Sequence, residues 1–212
     1  MNPVIDRRQA AWFLVAGALA TGSLACQTLF GGRPPAEASA TLAAFPADPA
    51  LAPDAFSELE AWVASDPDGI QQAAVAQLDN EDSAVRFAAL YVLSRTPLTT
   101  PSERALHQSL SSTLADERLL AAETLGLHGR ADALPVLIDL LDSQAPLAHR
   151  DPPMQAWQAA SFALIQLTEE DLGLLGAESF EAVAAAKPAW QAWWREAGGE
   201  LSWDTGLEAF VR

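Results

Sequence analysis

The chain has 212 residues, of which half are hydrophobic, and its 12 Lys and Arg against 28 Asp and Glu give a formal net charge of −16. Nucleic acids and anionic membrane surfaces both attract basic proteins, so this charge argues against either as a direct partner. Seven Trp and eight Phe supply enough bulk for a hydrophobic core, which excludes a disordered protein.

Cysteine and histidine are too sparse to suggest a metal centre. Cys26 is the only cysteine, so an intramolecular disulfide is excluded, and no Cys/His cluster has zinc spacing. His107, His128 and His149 stand about twenty residues apart in different segments. We interpret them as surface or cap residues and predict neither a metal nor a cofactor.

The first 25 residues have the order of an export signal. "MNPVIDRRQ" carries two arginines, and the sixteen residues from Ala10 to Ala25 that follow are uncharged. Sixteen residues are short for a membrane span, which needs about 20 apolar ones. The sequence therefore predicts a signal peptide over 1–25, with a transmembrane anchor as the alternative.

The end of this signal predicts a lipid attachment site. The stretch "GSLAC", Gly22 to Cys26, resembles the lipobox of bacterial lipoproteins. In that family the cysteine thiol receives a diacylglycerol and becomes the new N-terminus. The resemblance implies an exported protein, anchored to the cell membrane through Cys26 and facing the periplasm or the extracellular side. An ordinary cleaved signal that happens to precede a cysteine is the alternative.

The segment 26–53 is predicted to be a linker. It is rich in Pro and Ala and has no sustained apolar period. A flexible coil of this length spans roughly 30 Å, and full extension approaches about 95 Å. The sequence therefore predicts that a folded domain over 54–212 stands off the membrane.

Helix formers dominate this domain, and no convincing strand pattern appears. In "FSELEAWVAS", for example, Phe56, Leu59 and Trp62 share one helical face. The spacing of apolar residues predicts eight helices, over 55–65, 68–79, 83–95, 101–114, 116–128, 131–142, 154–167 and 179–197.

Three of these segments are related to one another. "VRFAALYVLS" from Val85, "ERLLAAETLG" from Glu117 and "AWQAASFALI" from Ala156 align without gaps, at offsets of 32 and 39 residues. The fifth and ninth places are shared, and they hold Ala89, Ala121 and Ala160, then Leu93, Leu125 and Leu164. Paired helices at this period are typical of an α-solenoid.

The residue pattern of these segments resembles that of HEAT-like repeats, of the short bacterial kind that also occurs in phycobilisome lyases. "DSAVRFAALYVLSR" and "ETLGLHGRADALPVLIDLL" carry the resemblance, which covers about 69–168. It implies an all-α fold, a short α-solenoid of helical hairpins with a groove lined by the second helices. In such repeats Arg86 and Arg118 order the turn between repeats by pairing with Asp. Glu117 stands where the family usually has Val.

A tryptophan-rich helix closes the chain. Trp190, Trp193 and Trp194 fall at i, i+3 and i+4, so they share one helical face. Many bacterial HEAT-like proteins end in a similar way, and a terminal helix must seal an open core end. We therefore expect a capping helix. The alternative is that these residues, with Trp203, form a stacking platform for a sugar.

Catalytic motifs are not found in the sequence. Neither a nucleophile elbow nor a phosphate-binding loop occurs, and Glu169, Glu170 and Asp171 are interpreted as a solvated charge run. The sequence therefore predicts a non-enzymatic, membrane-tethered scaffold that binds a protein partner in the cell envelope. The alternatives are a lyase-like or chaperone-like attachment factor, by analogy with HEAT-like bilin lyases, and a peptidoglycan-binding protein.

Overall fold

The computed structural model describes residues 35–47, 52–148 and 153–212. These residues are mostly helical, so the predicted all-α class is confirmed. The helices are α1 (Pro35–Ala43), α2 (Ala52–Ser65), α3 (Pro67–Gln77), α4 (Ser83–Arg95), α5 (Thr100–Ser109), α6 (Ala115–Leu127), α7 (Leu134–Leu140), α8 (Ala156–Thr168) and α9 (Phe180–Ala197).

The eight predicted helices correspond to α2 through α9, with differences at their ends. The predicted helix over 101–114 stops earlier, because Ser112 is drawn into a turn in which its hydroxyl accepts from the Leu114 amide at 3.1 Å. The predicted helix over 131–142 begins with a 3-10 turn at Ala131–Ala133. Pro135 then occupies the first turn of α7, where its missing N–H costs no hydrogen bond.

Two small antiparallel sheets lie between and after the helices, although the sequence showed no strand pattern. Strands β1 (Pro146–Leu147) and β2 (Met154–Gln155) pair, as do β3 (Ser202–Asp204) and β4 (Ala209–Val211). Strands of two or three residues are too short for an alternating pattern to be recognised. In the second sheet the rings of Trp203 and Phe210 pack edge to face, with centroids 4.9 Å apart.

Helix α1 lies inside the segment that was expected to be a linker, and this expectation is wrong for residues 35–47. Ala38, Leu42 and Phe45 are buried. The Trp62 indole N–H donates to the Thr41 hydroxyl at 3.0 Å, which ties α1 to α2. The three buried residues have helical spacing, but Pro and Ala around them hide a pattern that covers only two turns. The predicted signal peptide 1–25 and Cys26 lie outside the described residues.

The helices pack in two rows. Helices α2, α4, α6 and α8 contact one another in succession, and on the other side α1 contacts α3, α3 contacts α5, and α7 contacts α9. Helices that follow one another along the chain also pack together, which joins the two rows. The core therefore runs continuously from α1 to α9.

The six positions shared by the aligned segments all lie in this core. Ala89, Ala121 and Ala160 are completely buried, and the three leucines are at most 1% exposed. A methyl group at the contact between two helices lets their backbones approach closely. The sequence identified these packing positions correctly.

We predict that α1 is part of the cooperative fold. Leu42→Ala leaves a cavity where a completely buried side chain packs, so urea denaturation should show a loss of about 2–5 kcal/mol in the free energy of unfolding. Glu37→Gln changes an exposed residue of the same helix and should stay within about 0.5 kcal/mol of the parent. Equal stability of the two variants would show that α1 does not belong to the folded unit.

Candidate functional site

The best candidate for a binding site is a cleft between α7 and α9, with a volume of about 390 Å³. We call it the α7–α9 cleft. Its lining residues are Pro135, Ile138 and Asp139 of α7 with Gln191, Trp194 and Arg195 of α9. Helix α7 corresponds to the predicted helix over 131–142, and α9 to the predicted capping helix over 179–197.

Each helix contributes residues at i, i+3 and i+4, which are neighbours on a helical surface. The packing of α7 against α9 therefore brings two three-residue faces together. Ser179 fixes the start of α9, because its hydroxyl accepts from the Ala182 amide at 3.2 Å. Of the six lining residues, only Trp194 was a candidate from the sequence.

The three tryptophans of α9 differ in burial and surroundings. Trp190 is completely buried and Trp193 is 7% exposed, and their rings pack edge to face at 5.4 Å. Trp194 is half-buried and lines the cleft. Trp203 stands elsewhere, against Phe210 of the second sheet. Two buried rings cannot stack on a ligand, so the four tryptophans do not form one platform.

Asp139 is held between two cations. Arg118 donates to its Oδ2 at 2.5 Å, and the Lys187 ammonium lies 3.3 Å from its Oδ1. Lys187 also donates to the Asp139 carbonyl at 2.9 Å and to Asp142 Oδ1 at 2.8 Å. The hydrogen bond from Arg118 is the main reason why the pKa of Asp139 lies below its ordinary value, and Lys187 adds to it. This cluster ties α7 to both α6 and α9.

Arg195 differs from these cations. Its Nε donates to the Gln191 carbonyl of its own helix at 3.3 Å, and the side chain is exposed. In the part of the chain that the structure describes, no carboxylate forms an ion pair with it. A guanidinium has five N–H donors, so four of those of Arg195 have no hydrogen-bond partner within the described residues.

A smaller pocket of about 270 Å³ lies between the end of α8 and the second sheet. Glu169, Glu170 and Trp193 are among its lining residues, and the Trp193 indole N–H makes no hydrogen bond within the described residues. Arg212 also lines this pocket, so charge alone does not separate it from the α7–α9 cleft. The α7–α9 cleft is the better candidate because it is larger and its aromatic ring, Trp194, is half-buried, whereas Trp193 in the smaller pocket is only 7% exposed.

The two recurrent arginines are engaged in structural contacts. Arg86 binds the turn carbonyls of Asn80 and Glu81, as expected, but its carboxylate partner is Glu117, at 2.8 Å from Nε to Oε1. Arg118 pairs with Asp139. Glu117 is thus the carboxylate partner of Arg86, and it is only 5% exposed.

The remaining polar candidates also have structural partners. His107 lies between the Glu103 carbonyl, at 2.8 Å, and Asp132, at 3.0 Å. The ring of His128 contacts the Thr124 carbonyl at 2.8 Å. The Asp171 carboxylate accepts from three backbone amides of the turn that follows α8. This residue of the acidic run therefore stabilises the turn. His149 lies outside the described residues.

Residues 35–47, 52–148 and 153–212 contain no group of three or more His, Cys, Asp or Glu side chains placed to hold a metal ion. None of the described helices is both long enough and apolar enough to cross a bilayer.

Comparisons with protein-family models, with curated proteins and with solved structures return no match to this chain.

We predict that the Asp139 cluster stabilises the fold in a pH-dependent way. The pKa of Asp139 is lowered in the folded state, so its contribution is complete above the ordinary carboxyl range and disappears as the pH falls through the folded value. Asp139→Asn should therefore lower the free energy of unfolding measured by urea denaturation at pH 7, by at most about 1 kcal/mol since the carboxylate is largely exposed. The difference should close as the pH falls below the ordinary pKa of an aspartate, about 3.9.

Asp79→Asn provides the matched control, because Asp79 is an exposed aspartate away from the cleft. The difference between this variant and the parent should not change with pH in the same way. An Asp139→Asn deficit that is the same at pH 3 and pH 7 would contradict the assignment.

Proposed function

We propose that this protein is a non-enzymatic, lipid-anchored α-solenoid that binds a protein partner in the bacterial cell envelope through the α7–α9 cleft. The observation that carries the proposal is a cleft between two packed helices that is lined by both Trp194 and Arg195. Trp194 is accessible, and Arg195 forms no ion pair within the described residues. Trp and Arg are the residue types most enriched among the residues that dominate binding at protein interfaces.

The helix packing supports the solenoid part of this proposal. A solenoid consists of hairpins that each contact only their neighbours, and α4, α6 and α8 contact one another in sequence order. Helix α9 would then be the Trp-rich cap. Burial of Trp190 and Trp193 against the preceding helices is what a cap requires, because the last hairpin otherwise exposes its apolar face.

The anchoring part rests on the sequence. A basic start, an uncharged stretch and a cysteine directly after Ala25 favour lipid attachment at Cys26. A protein with a net charge of −16 gains little from anionic lipid headgroups, so a covalent anchor explains how it would be held at a membrane.

A carbohydrate of the envelope, such as peptidoglycan, is a second candidate ligand for the same cleft. The half-buried Trp194 favours it, since an accessible indole face beside a polar Gln191 suits a sugar ring. The N-acetylglucosamine units of such a polymer carry no carboxylate and would leave Arg195 without a partner of opposite charge. We therefore prefer the protein partner.

We predict that Cys26→Ser releases the protein from the membrane. The parent should fractionate with membranes and have an intact mass above that of its polypeptide by the attached lipid. The variant lacks the thiol nucleophile, so it should be recovered without that added mass and in a different fraction. Equal masses and equal fractionation of the two forms would contradict lipid anchoring.

We further predict that a partner contacts the cleft directly. A photo-crosslinking residue placed at Gln191 of the full chain in cells should give a defined adduct with one envelope protein. The same residue at Gln166, which is exposed on α8 in the other row of helices, should not. Adducts that are equal at both positions, or none at Gln191, would remove the cleft as the partner site.

A further inference from the structure

The charge at the α7–α9 cleft differs from the charge of the whole protein. The chain is strongly acidic, but the cleft and its ion-pair cluster bring together three of the eight Lys and Arg side chains in the described residues. They are Arg118, Lys187 and Arg195, and the two carboxylates of the cluster are Asp139 and Asp142. The cleft thus holds one positive charge in excess.

That excess charge is on Arg195. Asp139 and Asp142 neutralise Arg118 and Lys187, and the Lys187 side chain is only 13% exposed. Within the described residues, Arg195 donates only to the Gln191 carbonyl of its own helix. A guanidinium with free N–H donors binds a carboxylate in a two-pronged geometry, which a neutral group cannot match.

The accessible apolar wall of the cleft is formed by Trp194 and Pro135, which are both half-buried. A side chain on Gly198 would place its Cβ 2.8 Å from atoms of the Trp194 ring, so the glycine allows the ring to lie close over the end of α9. Ile138 also lines the cleft, but it is only 3% exposed and therefore supports this surface rather than contacting a ligand.

We propose that the cleft recognises an acidic peptide segment of the partner, in which a carboxylate binds Arg195 and an adjacent apolar side chain packs on Trp194 and Pro135. This inference rests on the proposed function, since it names the part of a protein partner that the cleft takes. The volume of the cleft, about 390 Å³, lies in the range of small-ligand sites.

The test uses two capped dipeptides that differ in one charge, N-acetyl-Leu-Glu-amide and N-acetyl-Leu-Gln-amide. The full chain in a mild non-ionic detergent, labelled with 5-fluorotryptophan, is titrated with each probe and followed by ¹⁹F NMR. Trp194→Phe assigns the Trp194 signal among those of the seven tryptophans. The salt concentration is kept at about 10 mM, where exposed charges are least screened.

We expect the Glu probe to shift the Trp194 signal and to bind about fivefold more tightly than the Gln probe. Arg195→Gln should abolish this preference and leave the binding of the Gln probe unchanged. Arg104→Gln, which removes an exposed arginine of α5 outside the cleft, should preserve it. Unshifted tryptophan signals in the Arg195→Gln variant without ligand would show that the substitution leaves the fold intact.

Three outcomes would overturn the inference. They are the absence of any shift of the Trp194 signal, equal affinity for the two probes, and a preference for Glu that survives Arg195→Gln. A stronger response to N-acetylglucosamine than to either peptide would assign the cleft to a carbohydrate instead.

The probe experiment and the crosslinking experiment fail independently. The dipeptides need no partner, so discrimination between them can be lost while crosslinking from Gln191 still captures an envelope protein. In that case the partner binds through other chemistry. If the two dipeptides bind with different affinities but no protein is crosslinked, the cleft is a carboxylate-binding site and the proposed protein partner is contradicted.

Discussion

The close approach of α4, α6 and α8 is the constraint on which the other features depend. Their contacts use completely buried alanines, and at one point even a methyl group is excluded, since a Cβ on Gly126 of α6 would lie 2.5 Å from Leu167 of α8. Larger side chains there would force these helices apart. Because α7 and α9 pack on this row, its spacing also sets the distance across the α7–α9 cleft.

Ion pairs add specificity to this apolar packing. Arg86 and Glu117 join α4 to the start of α6, and the hydroxyl of Ser112 donates to the same carboxylate at 2.6 Å. A charge buried to this degree is costly unless it is paired and hydrogen-bonded, so the pair favours one alignment of the two helices over others. The Asp139 cluster does the same for α6, α7 and α9, with more exposed groups.

Sequence reasoning found what is local and missed what depends on distant partners. The helices of the core were predictable because their apolar residues recur at helical spacing over three or more turns, whereas α1 offers only Ala38, Leu42 and Phe45 among prolines and alanines. Helical spacing placed Trp194 with Trp190, although packing gives them different surroundings. The ion pairs of Asp139 could not be predicted, because they join it to Arg118, 21 residues away, and to Lys187, 48 residues away.

The docking of α1 changes the geometry of attachment. With the proposed anchor at Cys26, only residues 27–34 separate the lipid from the first helix, and nine Cα-to-Cα steps cover at most about 30 Å. That is about a third of the reach that an unstructured 26–53 segment would have. If Cys26 carries the lipid, the fold would therefore begin within about 30 Å of the membrane surface rather than at the end of a long linker.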